Sequence, residues 1–266
     1  MNIEIVAVGS ELLTPFFLDT NSLYLTRRLN DLGLDPDWKT VVGDDADNLA
    51  LALRVAVGRS DLLFVTGGIG PTGDDMTREV LADVLGKSLR LDEAVLDRIR
   101  ERFRRRGREM PESNRKQAFV IEGAEVLENW NGTAPGQWLA DGPKRIVLLP
   151  GPPRELEPMC EEDVWPRLAT SASGFLIRRT LKTAGMGESD AESLIRDLYP
   201  DQKNVRLTLL ASPGQVEFHI SARSGIGRGE ARAAADHLAA SLRQRLGNRV
   251  FSENGEDLEE VVGRLL

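Results

Sequence analysis

The stretch Thr66-Gly67-Gly68-Ile69-Gly70-Pro71-Thr72-Gly73-Asp74-Asp75 gathers residue types suited to a phosphorylated or pterin-like small molecule. Gly67, Gly68 and Gly70 let the backbone approach a ligand, and a helix opening behind them would present free N–H groups to an anion. No Lys follows the glycines, so the turn is not a P-loop, and the spacing is not that of a dinucleotide fingerprint. The plainer reading is a tight strand-to-helix connection. Asp74 and Asp75 sharpen the choice. As helix caps they need no ligand; beside a phosphate they repel it unless a cation bridges them. With Glu11 and Asp44 or Asp45 from neighbouring strand ends, they form an oxygen-rich set suited to Mg²⁺ or Mn²⁺. Such an ion would polarise a phosphoryl oxygen and position or activate water.

Other chemistries are poorly supplied. The two histidines, His219 and His237, lie in the C-terminal part and read as a strand residue and a helix-surface residue. A Ser-His-Asp triad or a His-rich zinc site near the glycines is therefore not expected, and any base there is a carboxylate or metal-bound water. Arg154-Glu155-Leu156-Glu157 imitates a Nudix helix, but Pro158 and Ile146 stand where further acids are required. Cys160, the only cysteine, has acidic neighbours Glu161, Glu162 and Asp163 and reads as a structural thiol outside an oxidising compartment.

The elements that must position these residues alternate in type. Ile3–Val8, Trp38–Val42 and Asp61–Thr66 read as strands; Asp19-Thr20-Asn21 opens a helix that stops at Gly33, and helices are expected over Ala46–Val57 and Asp74–Leu85. This βαβαβ rhythm predicts a doubly wound, mostly parallel α/β sheet over residues 1–170. In such a sheet Gly9-Ser10-Glu11, Gly43-Asp44-Asp45, Thr66–Asp75 and Pro150–Pro153 all meet at the carboxyl edge. Asp92 opens another helix, whose Arg98, Arg100, Arg102, Arg104, Arg105 and Arg106 read as a solvated face; a sharper alternative has Arg108, Arg115 or Lys116 reach a phosphate. Strands recur near Val126 and over Ile146–Leu149, before a helix from Arg154 to about Cys160.

Beyond a small polar linker, Ser171-Ala172-Ser173-Gly174, the order becomes βαββαβ: Phe175–Ala184, Glu188–Leu198, Val205–Ala211, Val216–Ala222, Ala231–Leu246 and Arg249–Phe251. It predicts a smaller α+β domain over residues 175–252, with 253–266 as a helical tail. Of 266 residues, 41% are apolar and 29% charged, as in ordinary globular proteins, and the net charge of −8 argues against coating nucleic acid. Charge is uneven: 12 Lys/Arg stand against 8 Asp/Glu from Phe175 to Val250, a net of +4 that leaves −12 elsewhere. No run approaches the ~18 apolar residues that span a membrane, and the N-terminus lacks a signal pattern. The chain reads as cytoplasmic.

Seven blocks then carry a resemblance. Val8-Gly9-Ser10-Glu11-Leu12-Leu13, Asp19-Thr20-Asn21, Val42-Gly43-Asp44-Asp45, Thr66–Thr77, Asn114 through Lys116-Gln117-Ala118, Asn131-Gly132-Thr133-Ala134-Pro135-Gly136 and Leu149-Pro150-Gly151-Pro152-Pro153 follow in an order and spacing similar to the CinA (competence/damage-inducible) family. The resemblance covers essentially the whole chain, including Gly185-Met186-Gly187-Glu188-Ser189. It implies a first domain of the MoaB/MogA, molybdopterin-binding type and a KH-like second domain. It also implies metal-dependent cleavage of the diphosphate of ADP-ribose, or a related nucleoside diphosphate compound, to AMP and ribose 5-phosphate.

Carried over residue by residue, Gly67, Gly68, Gly70 and Thr72 would hold phosphate. Glu11, Asp44, Asp74 and Asp75 would hold a divalent Mg²⁺, Mn²⁺ or Co²⁺, with Glu11, Asp44 and Asp75 as the catalytic acids. Asn21, Asn114, Gln117, Asn131 and Thr133 would contact the nucleotide substrate, though Asn and Gln also cap loops. Pro15-Phe16-Phe17 departs from the family's Gly and polar residue, reshaping one wall or offering a stacking surface for a base. Longer members continue into a nicotinamide-nucleotide amidase domain; the chain ends at Leu265-Leu266, so that activity is expected to be absent. Two rivals stand beside the hydrolase: a molybdopterin or pterin binder or adenylyl transferase using the same pocket, and an RNA-binding module on the KH-like unit. Gly185-Met186-Gly187 and Gly225-Ile226-Gly227 lack the G-x-x-G spacing that clamps RNA, and a packing role in a homodimer is the better expectation for that domain.

Overall fold

The computed structural model describes residues 1–169, 175–201 and 204–266; the expected linker Ser171-Ala172-Ser173-Gly174 lies outside them. The chain divides into two compact units, one of Met1–Leu29 with Asp35–Thr170, the other of Asn30–Leu34 with Ser171–Leu266.

In the first unit β1 (Ile3–Val8) is buried along its whole length, as a central parallel strand covered on both faces must be. Helix α1 (Thr20–Asp31) starts where Asp19 Oδ1 accepts the Ser22 amide at 2.9 Å. Then come β2 (Trp38–Val42), α2 (Ala46–Arg59), capped by the Asp45 carboxylate on the Asn48 amide, and β3 (Leu62–Thr66). After the Gly-rich turn follow α3 (Thr77–Leu85), β4 (Leu89–Leu91) and α4 (Glu93–Arg104), capped by Asp92. The unit finishes with β5 (Phe119–Ile121), β6 (Ala124–Leu127), β7 (Gly136–Asp141), β8 (Lys144–Leu149), α5 (Pro153–Met159) and α6 (Trp165–Ala169). One π-type turn, Cys160–Val164, joins the last two helices.

The main sheet has the order β2-β1-β3-β8-β7-β6, with β2, β1, β3 and β8 mutually parallel, β7 antiparallel to β8, and β6 antiparallel to β7. The chain leaves β1 for β2 on one side and returns to β3 on the other. Strand order therefore reverses at β1, and the crevice at the carboxyl ends of β1 and β3 is where a ligand fits an open sheet. Leu49 and Leu53 of α2 and Leu81 of α3 pack with Val6, Val8, Leu63 and Val65. Elsewhere Trp165 lies 5.9 Å from the Phe64 ring and donates its indole N–H to Tyr24. Cys160 is buried, and burial, then the Glu161 and Glu157 charges, push its thiol well up, as suits a structural role.

Two expectations need correction. Helix α3 begins at Thr77, not Asp74, because Asp75 spends its carboxylate on the Thr72 amide (2.9 Å) and closes a local turn that competes with helix. Strands β4, β5 and β7 add to the expected elements. The first two are three residues long, and β7 carries Gln137, whose buried amide accepts from Ile121 N (2.8 Å) and donates to Phe119 O (3.1 Å).

In the second unit β9 (Phe175–Ala184), α7 (Glu188–Ile195), β10 (Val205–Ser212), β11 (Gln215–Ser224), α8 (Arg228–Leu246) and β12 (Val250–Ser252) keep the expected order. The sheet is antiparallel, β10-β11-β9-β12, and β11 buries alternate residues against a core containing Phe218, Ile220, Leu238 and Leu242. Helix α9 (Leu258–Leu265) opens on a capping box between Asp257 and Glu260. Among the described residues no helix is long and apolar enough to cross a membrane.

Candidate functional site

A cleft of about 570 Å³ opens at the carboxyl edge of the first sheet, and all four strand-end loops line it. Gly67 makes the closest approach. Its φ is +96°, and a β-carbon there would sit 2.1 Å from the Val8 carbonyl oxygen, so only glycine lets the β1 and β3 ends close together. Gly68 continues in the left-handed region at φ +66° and accepts the Thr77 amide at 2.9 Å. The first amide of α3 is thus used internally. The N–H groups of Gly68, Ile69 and Gly70 have no acceptor among the described residues. Successive unengaged amides in a turn are the donor set from which an anion nest is built.

The turn is braced from behind. Lys116 Nζ donates to the Thr72 carbonyl (2.8 Å) and to the Asp75 carbonyl. Lys116, one of the three cations that the sharper alternative sends to a phosphate, therefore holds the turn. The Thr72 hydroxyl and, after it, the amides of Asp74 and Asp75 and the Lys116 charge hold the Asp74 carboxyl below its ordinary range. Thr72 has one hydroxyl proton, and the hydrogen-bond geometry gives it to Asp75 Oδ2, so the amides and Lys116 are the firmer cause for Asp74.

Glu11, Asp44, Asp74 and Asp75 all line the cleft, while Asp45 caps α2. Asp44 and Ser10 lock their two loops reciprocally: Ser10 N donates to Asp44 Oδ2 (2.7 Å) and Asp44 N to Ser10 Oγ (2.9 Å). The Glu11 carboxylate lies against the Gly9 α-carbon, where a β-carbon would meet its oxygens at 2.6 and 2.7 Å. Among the described residues no three Asp, Glu, His or Cys side chains form a ready-made metal cage. The donors fit a hard cation nonetheless. They are carboxylate oxygens with no His or Cys beside them, and Mg²⁺ commonly takes one or two carboxylates and completes its shell with phosphate oxygens.

The polar groups divide. Asn21, Gln117 and Thr133 line the cleft. Asn21 Nδ2 is fixed by Thr66 Oγ1 (3.0 Å) and the Gly151 carbonyl (2.6 Å), which leaves Asn21 Oδ1 buried without a partner among the described residues. Asn114 Nδ2 donates to Gln117 Oε1 (2.8 Å), leaving Gln117 Nε2 as the donor available to a ligand. Three expected contacts are absent from the wall. Asn114 is buried behind Gln117, Thr72 is spent on Asp75, and Asn131 donates to the Arg154 carbonyl (2.8 Å).

Two structural contributors escaped the sequence. Asn129 donates to the Ala134 carbonyl (2.7 Å) and to Glu155 Oε2 (2.8 Å) while accepting from the amides of Asn131 and Gly132. It shapes the loop carrying Thr133, and Glu155 itself faces the cleft. The only available signal was an Asn two residues before an Asn-Gly pair, which is common in loops. Of the aromatic pair, Phe17 lines the cleft and Phe16 is 85% exposed.

Comparisons with known proteins agree with this architecture. The family model described as "Probable molybdopterin binding domain" matches residues 4–170, and that for the "Damage-inducible protein CinA KH domain" matches 178–252. A "CinA-like protein" of Solibacter usitatus is 46% identical over 100% of this chain, and one of Dictyoglomus turgidum 44% identical over 100%. The chain spans 64% of the length of each of these curated relatives. Among solved structures, "the protein CinA with unknown function from Thermoplasma acidophilum" is similar at 36% identity and a TM-score of 0.57, covering 60% of this chain and 94% of that one.

Proposed function

The chain belongs to the CinA-like family, and on that premise we propose that its first unit binds a phosphorylated pterin of the molybdopterin type in the cleft around Gly67. The observation that carries the proposal is the set of unengaged amides at Gly68, Ile69 and Gly70, at a strand-order reversal. They receive the phosphate. Gln117 Nε2 and the Thr133 hydroxyl offer hydrogen bonds to a heteroaromatic edge, and Phe17 offers a ring face. Adenylyl transfer to such a pterin is one use of the same cleft.

A second reading, hydrolysis of the ADP-ribose diphosphate, is favoured by the four carboxylates on one cleft. One or two of Glu11, Asp44, Asp74 and Asp75 would hold the divalent cation, which when bound polarises a phosphoryl oxygen. In both readings the chain's own part is to bind the phosphate on amides, orient the ring and supply a carboxylate within reach of the phosphoryl group. Titrating the protein with a pterin monophosphate, followed by pterin fluorescence, tests the first reading; no saturable binding, or equal binding of the unphosphorylated pterin, overturns it. Incubation with ADP-ribose and Mg²⁺, Mn²⁺ or Co²⁺ tests the second, through release of AMP above the metal-only background.

A further inference from the structure

Beside the first cleft and within the same unit lies a second, of about 680 Å³, between the last turns of α4 and the loop from Glu128 to Pro135. Its chemistry differs from that of the first. Arg98, Arg102, Arg105 and Arg106 line it, together with the Trp130 side chain, which is 65% exposed.

The guanidinium groups are unequally matched. Arg98 pairs with Glu128 at 3.0 Å and Arg105 with Glu101 at 3.0 Å. Arg102 Nη1 instead donates to the Trp130 carbonyl (2.8 Å), and its Nε is buried without a partner among the described residues. Arg106 has no carboxylate partner among the described residues either. The carboxyl end of α4 carries about half a negative elementary charge that draws cations. Asp97 also lines the cleft but pairs with Arg100 at 3.0 Å; two unmatched guanidiniums exceed the helix-end charge, so positive charge remains beside an exposed indole in a chain whose net charge is −8. An indole face with adjacent guanidinium forks matches a planar heterocycle bearing a phosphate.

We propose that this second cleft binds a nucleoside monophosphate, its base stacked on Trp130 and its phosphate held by Arg102 and Arg106. Thr133 lines both clefts, so occupancy of the second reaches the wall of the first through one loop. The site stands whichever ligand the first cleft takes.

The test is a titration of the intact protein with AMP, followed by tryptophan fluorescence, with adenosine and inorganic phosphate as separate arms. Saturable quenching by AMP is expected, with at least tenfold weaker response to adenosine and competition by phosphate. Trp130→Phe removes the quench, and Arg106→Gln, at an exposed position, weakens AMP at least fivefold. Arg102→Gln weakens it further, provided the far-UV circular dichroism is unchanged. Asp75→Asn, which alters the first cleft alone, leaves the quench intact. No saturable quench, a quench that survives Trp130→Phe, or one abolished by Asp75→Asn and untouched by Arg106→Gln overturns the proposal.

Discussion

The Asp75 carboxylate occupies the space that a side chain on Gly70 would need: a β-carbon there would lie 2.5 Å from Asp75 Oδ2 and 2.9 Å from its Cγ. The same oxygen accepts from the Thr72 amide and hydroxyl, so the carboxylate is pinned across the turn it belongs to. Gly70 is kept small for the acid's sake, since no left-handed φ demands glycine there.

Gly70→Ala should therefore act on binding and spare the fold. The methyl must displace a side-chain carboxylate from its Thr72 bonds, not backbone. We expect affinity for the cleft's ligand to fall about tenfold, or about 1.4 kcal/mol, with the thermal midpoint nearly unchanged. An unaltered affinity, measured beside the melting curve, would show that the Asp75 position is immaterial.

Gly67→Ala should do the reverse. Its β-carbon would meet the Val8 carbonyl at 2.1 Å, a backbone atom of the central strand, and its φ of +96° is strained for any other residue. A loss of at least about 2 kcal/mol of unfolding free energy follows from the strain and the clash. Gly73→Ala, with nothing within 4 Å, is the control and should stay within about 0.5 kcal/mol. Equal urea midpoints for the two variants would contradict this account of the turn.

Most of the site's frame was legible because it follows from periodicity and strand ends. The mostly apolar, wholly buried runs of β1 and β3 announce parallel strands, and the acids and glycines that follow them must then share the carboxyl edge. What escaped depended on how side chains spend their hydrogen bonds. Lys116 and Thr72 look like phosphate ligands in a sequence; in the fold both are consumed holding the turn. Asp75 looks like a helix cap, yet its bond to Thr72 delays α3 to Thr77. Nothing in residue type or spacing distinguishes a donor facing a ligand from one facing a carbonyl.

Glu4 supplies a pH-dependent contribution away from the cleft. It is buried in β1, where it accepts from Arg59 Nε and Nη2 (both 2.8 Å), Thr40 (2.9 Å) and Ser60 (3.2 Å). Burial pulls its pKa up, but the Arg59, Thr40 and Ser60 hydrogen bonds and the Arg59 charge more than offset it, leaving the carboxyl below its ordinary value. The stabilisation is thus complete above the unfolded-state pKa of about 4.3 and is lost as pH falls through the lower folded value. Glu4→Gln should cost about 1–3 kcal/mol at neutral pH, and the gap to the parent should narrow in acid. Urea unfolding across the pH range measures it; a gap that widens in acid has the wrong sign.

The last test separates Asn129 from Asn131. The family pattern singles out Asn131, whose side chain donates once, to the Arg154 carbonyl. Asn129 instead makes four bonds that fold the Thr133 loop and steer Glu155, which faces the cleft. Asn129→Ala leaves the Ala134 carbonyl and the amides of Asn131 and Gly132 without their partner and frees Glu155. Asn131→Ala removes one brace at an exposed position. Ligand affinity should therefore fall several-fold more for Asn129→Ala, with a stability loss of about 1–3 kcal/mol. Asn131→Ala should remain within about 1 kcal/mol of the parent. The reverse order of affinities would place Asn131 on the ligand and make Asn129 a loop residue of little consequence.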